Sequence, residues 1–156
     1  MAKVNELVVD EQRRHLEQVA AIDGWTVKAL SSISFIVGFT ARDGSPYWAR
    51  CDADGYPGVP PAWHWSSENG DEIDLPALTP KGGGSAFLHP NGVICAPWNR
   101  LAYRCEDARG PHDDWTIGNW FANSYTGECK TLAAMAIRIS IELQTRYSGR
   151  ALERAA

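Results

Sequence analysis

Three runs decide the fold: Trp25-Thr-Val-Lys-Ala-Leu30, Ser34-Phe-Ile-Val-Gly-Phe-Thr-Ala41 and Tyr47-Trp-Ala-Arg-Cys51. All are rich in β-branched and aromatic residues, which suit a pleated, half-buried surface. Asp43-Gly44-Ser45-Pro46 is a turn, so the runs pair as an antiparallel meander. Pro60-Pro61 delivers a short fourth segment, Ala62-Trp63-His64-Trp65. Ahead of the sheet, Asp10 to about Ala21 reads as a helix, with Asp10 as its cap and Val9, Leu16, Val19 and Ala20 as a thin apolar face. Asp23-Gly24 ends it.

Beyond the sheet, residues 66–85 have the composition of a loop, with Pro76, Pro80 and the run Gly82-Gly83-Gly84. Within it, Ile73-Asp-Leu75 reads as a brief edge strand. The glycine run lacks the Lys-Ser/Thr and helix that a phosphate-binding loop needs, so it reads as plain loop. In the last third, Leu132, Met135, Ile139 and Leu143 recur three and four residues apart, and Ile137 and Ile141 widen the stripe. Gly149 is a natural stop for that helix. The fold class is therefore α+β: an N-terminal helix, an antiparallel four-stranded meander, an irregular region and a C-terminal helix. The whole chain, 1–156, reads as one domain with its core over about 10–147.

Bulk composition narrows the function. The hydrophobic content is 44% and the charged content 22%, ordinary for a globular protein. A formal charge of −4, with Arg13-Arg14 the longest basic run, argues against nucleic acid as a partner. No apolar stretch reaches the roughly 20 residues of a membrane span, so no membrane partner is expected. The opening Met1-Ala2-Lys3-Val4-Asn5-Glu6 turns polar too soon for a secretory leader, which points to a cytoplasmic location. There the four cysteines, Cys51, Cys95, Cys105 and Cys129, stay reduced. Cys51 falls on a strand, and Cys105 and Cys129 read as structural. The seven tryptophans read as packing residues.

The densest chemistry lies in His89-Pro90-Asn91-Gly92-Val93-Ile94-Cys95-Ala96-Pro97-Trp98-Asn99-Arg100 and in Gly110-Pro111-His112-Asp113-Asp114-Trp115. A cysteine attacks as its thiolate, and Arg100, Arg104 or a protonated His89 near Cys95 would favour that form. Asn91 or Asn99 could donate a hydrogen bond to an acyl-transfer oxyanion. Asp113 and Asp114 could orient and deprotonate an amine, or could simply cap the segment at Trp115. These are the parts of an acyl-transfer site. His15 reads as a surface residue of the first helix, and His64 as a satisfied histidine between two tryptophans.

His89-Pro90-Asn91 followed by Gly92-Val93-Ile94-Cys95 resembles the HPN and G-x-I-C signatures of ubiquitin-conjugating enzymes. Tyr56-Pro57-Gly58-Val59-Pro60-Pro61 is similar to that family's YPxxPP segment. The resemblance implies the same order of helix, four-stranded meander, active-site loop and C-terminal helix. It implies that Cys95 carries the C-terminus of a ubiquitin-like protein as a thioester, received from an activating enzyme, with no cofactor. Asn91 would support the loop or stabilise the oxyanion. His89, Pro90, Tyr56, Pro57, Pro60 and Pro61 would be structural. Only three residues separate Asn91 from Cys95, and Ala96-Pro97-Trp98 follow. This compact form resembles bacterial ubiquitin-conjugating-like proteins found with ubiquitin-like modification systems.

Two other readings stand beside this one. His89, Cys95, Cys105 and His112 are of types that bind zinc, with Glu106 or Asp113 as a further ligand, although no closely spaced pair is present. That set would suit a non-catalytic zinc-binding adaptor of the same fold. A hydrolase using Cys95 and His112 is the third.

Overall fold

A computed structural model describes residues 2–152. Helix α1 runs Ala2–Asp23. Strands β1 (Thr26–Ala29), β2 (Ser34–Thr40), β3 (Pro46–Asp52) and β4 (Ala62–Ser66) form one antiparallel sheet in the order β1-β2-β3-β4. Helix α2 spans Leu132–Thr145. The α+β architecture expected from the sequence is the one observed. Phe35 opposes Cys51 across β2 and β3, and Cys51 opposes Trp63 across β3 and β4. Alternation then sends Phe35, Val37, Phe39, Tyr47, Ala49, Cys51, Trp63 and Trp65 to the core face. Both helices close that face. Val9, Leu16 and Ala20 of α1 are buried there, as are Leu132, Met135, Ala136, Ile139 and Leu143 of α2. A fully buried side chain of this size contributes about 1.5–3 kcal/mol, so the aromatic lining dominates the stability of the sheet–helix interface.

Four local expectations need correction. Asp10 does not cap α1; it lies inside the helix and bridges to Arg13 (3.1 Å) and Arg14 (2.9 Å). No proline or glycine interrupts residues 2–9, so the helix runs back toward the start of the chain. Ile73 makes only a single bridge to Ser66 and no strand. Residues 66–85 are not all loop, because Pro80–Gly82 form strand β5. Gly149 does not stop α2. The helix ends at Thr145, and Tyr147–Arg150 form β6, paired with β5. Tertiary packing wins there: the buried Tyr147 ring lies 5.5 Å from Tyr47, and the two hydroxyls are 2.8 Å apart.

The β3–β4 connection is fixed from three sides. The Tyr56 hydroxyl lies 2.7 Å from Gln12 Oε1 on α1 and 2.8 Å from the Lys130 carbonyl before α2. Gln12 Oε1 also accepts from the Leu132 N–H at 2.9 Å, at the first turn of α2. Asn5 Nδ2 donates to the Ala53 carbonyl at 3.1 Å. Trp120 Nε1 donates to the Pro57 carbonyl at 2.9 Å. The middle of α1, the start of α2 and the strand connection thus share one polar junction. Tyr56→Phe removes the hydroxyl and leaves the ring, so the expected loss is about 1–2 kcal/mol in urea unfolding. An unchanged midpoint would show that the junction contributes nothing.

Candidate functional site

The segment around Cys95 is a tight double-back. Cys95 N–H donates to the Phe87 carbonyl (2.9 Å), His89 N–H to Val93 (3.2 Å) and Gly92 N–H to His89 (2.9 Å). Gly92 sits at φ +91°, where a side chain would be strained. His89 and Asn91 shape this turn from within. His89 Nδ1 accepts from the Asn91 N–H at 3.3 Å, and Asn91 Oδ1 accepts from the Val93 N–H at 3.2 Å. The Asn91 amide donates to the Arg109 carbonyl. The side chain is therefore held by backbone partners, and it is not among the residues lining the cavity beside Cys95.

Asn99, considered from the sequence as an oxyanion donor, has a different place. It is fully buried. Its Oδ1 accepts from the Trp63 N–H at 2.9 Å and from the Leu101 N–H at 3.4 Å, and its Nδ2 donates to the Ile94 carbonyl at 2.8 Å. One amide thus joins the outer edge of β4 to the residue before Cys95 and to the turn that follows.

Cys95 is half-buried on the wall of a cavity of about 620 Å³. Phe87, Trp98, Trp115 and Tyr125 supply its aromatic surface, and His112, Asp114, Cys129 and Arg138 its polar groups. This volume falls within the range of small-molecule and peptide pockets. Arg138 lies 5.2 Å from the Phe87 ring and bonds Glu142 on α2 at 2.6 Å.

Of the residues singled out from the sequence, Cys95, His112 and Asp114 come together here. Tyr56, Pro60 and Pro61 are buried beneath the neighbouring loop, while Pro57 and Pro90 are exposed. Asp113 is exposed. Neither aspartate caps the segment after Trp115, since the 3-10 turn Ile117–Ala122 begins at Thr116 without a side-chain cap. Asp114 turns back instead, its Oδ1 3.0 Å from His112 Nδ1. Cys105 is exposed on a turn away from this cavity. The four zinc-ligand candidates therefore do not gather: His89 stays in its turn, and only Cys95 and His112 share the cavity. Among the described residues, no three His, Cys, Asp or Glu side chains are grouped to hold a metal ion.

The electrostatics of Cys95 run opposite to the expected activation. Arg100 donates to the Pro60 carbonyl (3.0 Å) and pairs with Asp54 (3.2 Å), and Arg104 donates to the Gly110 carbonyl (3.0 Å). Burial and the negative charge of Asp114 push the thiol up to about 11. The carboxyl of Asp114 is itself lowered, chiefly by the hydrogen bond from His112. Cys129 and Arg138 gave no warning of their place here, because Arg138 reaches the cavity through the packing of α2 and Cys129 from the segment just before it. No family model, no curated protein and no solved structure matches the chain.

Two measurements check this geometry. Asn99→Ala strands the Trp63 N–H and the Ile94 carbonyl without partners, for an expected loss of about 3 kcal/mol or more. Asn99→Asp keeps the acceptor and should fall between that variant and the wild type; equal stability of all three would refute the bridging role. The second measurement concerns alkali. In the unfolded chain a thiol ionises near pH 8.5, whereas folded Cys95 keeps its proton to about 11. The unfolded state then binds fewer protons across that window. Stability is full below about pH 8.5 and declines as pH rises through the folded value. Thermal melts should show this decline, with a shallower slope in Cys95→Ser.

Proposed function

We propose that this chain is a ubiquitin-conjugating-type acyl carrier: Cys95 takes the C-terminal acyl group of a ubiquitin-like protein as a thioester and passes it to an amine. The observation that carries the reading is the position of Cys95, half-buried on the wall of a 620 Å³ cavity that also holds His112 and Asp114. The order of elements supports it, since helix, four-stranded meander, cysteine-bearing loop and helix follow one another as the resemblance implies. So does the Tyr56–Pro61 segment, which packs against the turn following the cysteine loop through Arg100: its N–H bonds the Pro61 carbonyl and its Nε the Pro60 carbonyl.

In this reading Asn91 supports the loop, because its amide is bound to the Arg109 carbonyl. Asp114 stands at the cavity wall, where it draws a cationic amine and orients His112. The raised thiol pKa also has a use. A thiolate of high basicity is a slow leaving group, so the acyl adduct survives until an acceptor is in place. Catalysis then comes chiefly from holding thioester and amine together in the cavity.

The experiment mixes the protein with an activating enzyme, ATP and a ubiquitin-like protein. A thiol-reducible adduct is expected on the wild type, none on Cys95→Ala, and a reduction-resistant ester on Cys95→Ser. A wild type that forms no adduct with a competent system, or an adduct that persists in Cys95→Ala, defeats the proposal.

A further inference from the structure

We infer that His112, oriented by Asp114 and backed by Trp115, is the base that removes the proton of the amine attacking an acyl group held on Cys95. The inference rests on the carrier reading of Cys95 and adds the residue that handles its protons.

The geometry is specific. His112 Nδ1 lies 3.0 Å from Asp114 Oδ1. An ionised carboxylate only accepts, so Nδ1 carries the hydrogen, and in the neutral ring the lone pair is then on Nε2. The imidazole lies flat on Trp115, with ring centroids 3.4 Å apart and planes within 6°. Trp115 is itself set edge-on against the buried Tyr103 at 5.8 Å. The backbone of His112 is fixed on both sides: its N–H donates to the Ala102 carbonyl (3.1 Å), and its carbonyl accepts from the Arg104 N–H (2.9 Å). Gly110 makes this approach possible, since a Cβ there would lie 2.5 Å from the Tyr103 carbonyl carbon. A histidine held at the backbone, at one nitrogen and on one ring face has little freedom left. Such a ring is preorganised for proton transfer.

The cavity needs such a group. The other titratable side chains on its wall are Cys95, Cys129, Asp114, Tyr125, Glu128 and Arg138. Asp114 is held as a weakened base by the hydrogen bond it receives. Arg138 is a cation already paired with Glu142. An imidazole is the side chain suited to take up a proton near neutral pH.

The step balances without any outside reagent. The amine nitrogen forms a bond to the acyl carbon of the Cys95 thioester, and its proton passes to His112 Nε2. The carbon–sulfur bond breaks, and Cys95 leaves as thiolate. That thiolate takes the proton back from His112, which regenerates thiol and neutral imidazole beside the new amide.

The test uses the full chain in a Cys105→Ser background. Cys95 is loaded with a small glycyl thioester, and discharge to free lysine is followed by mass spectrometry across a pH series. In the wild type, discharge rises with pH along a limb that includes the contribution of the base on the protein. His112→Gln should lose that contribution and discharge about 100-fold more slowly. Asp114→Asn keeps the ring and lowers the limb less, and it serves as the readout if His112→Gln does not fold. Identical pH profiles in the wild type and a folded variant overturn the inference, as does a Cys95 that takes up no acyl group. Because the donor is a small thioester, the two readings fail separately. His112-dependent discharge without a ubiquitin-like adduct would keep the base and remove only that partner.

Discussion

A single buried amide holds the site to the scaffold. Strand β4 ends the four-stranded sheet, and an end strand presents backbone groups with no neighbouring strand to satisfy them. Asn99 meets that need by receiving the Trp63 N–H on its oxygen, while its Nδ2 donates to the carbonyl of Ile94. The cysteine loop is thereby tied to the aromatic-lined sheet. Because the amide is buried among Trp63, Ile94 and Leu101, water cannot replace it, and its loss leaves several groups unpaired at once. The position of Cys95 depends on this side chain as well as on the backbone bonds of its own turn.

The second constraint is electrostatic. Burial and the charge of Asp114 both oppose the Cys95 thiolate, while Arg100 and Arg104 serve carbonyls and Asp54. Geometry and charge here divide the labour. The sulfur is held as a thiol, and under the proposed mechanism proton handling falls to a separate ring held by Asp114, Trp115 and the backbone of residues 102–104.

The sequence showed the elements whose signal is local. The β-branched and aromatic runs of β2 and β3 and the three-and-four spacing of α2 are nearest-neighbour patterns, and the observed strands and helix follow them within a residue or two. Strand β6 was hidden because Tyr147 leaves the helix for a partner 100 residues away, Tyr47. The first eight residues of α1 were hidden because Val4 and Leu7 stay exposed, so they add nothing to an inward stripe. Within the site, Cys95, His112 and Asp114 were visible as chemical types, but their meeting depends on the bridge between Tyr103 and His112, which no local pattern announces. Asn99 was visible only as an amide. That it lies buried against β4 is a property of the packed chain.

The strand order has a last consequence, for how another polypeptide can attach. One margin of the sheet is closed, since Asn99 occupies the outward groups of Trp63. The other margin, β1, is four residues long and carries Lys28, which faces Glu68 and lies over Trp48. A short, charged border is a poor template for strand addition, which also guards the molecule against edge-to-edge clumping. At this sheet, contact with another chain would fall to side chains, with specificity written in residue identity and not in backbone pairing.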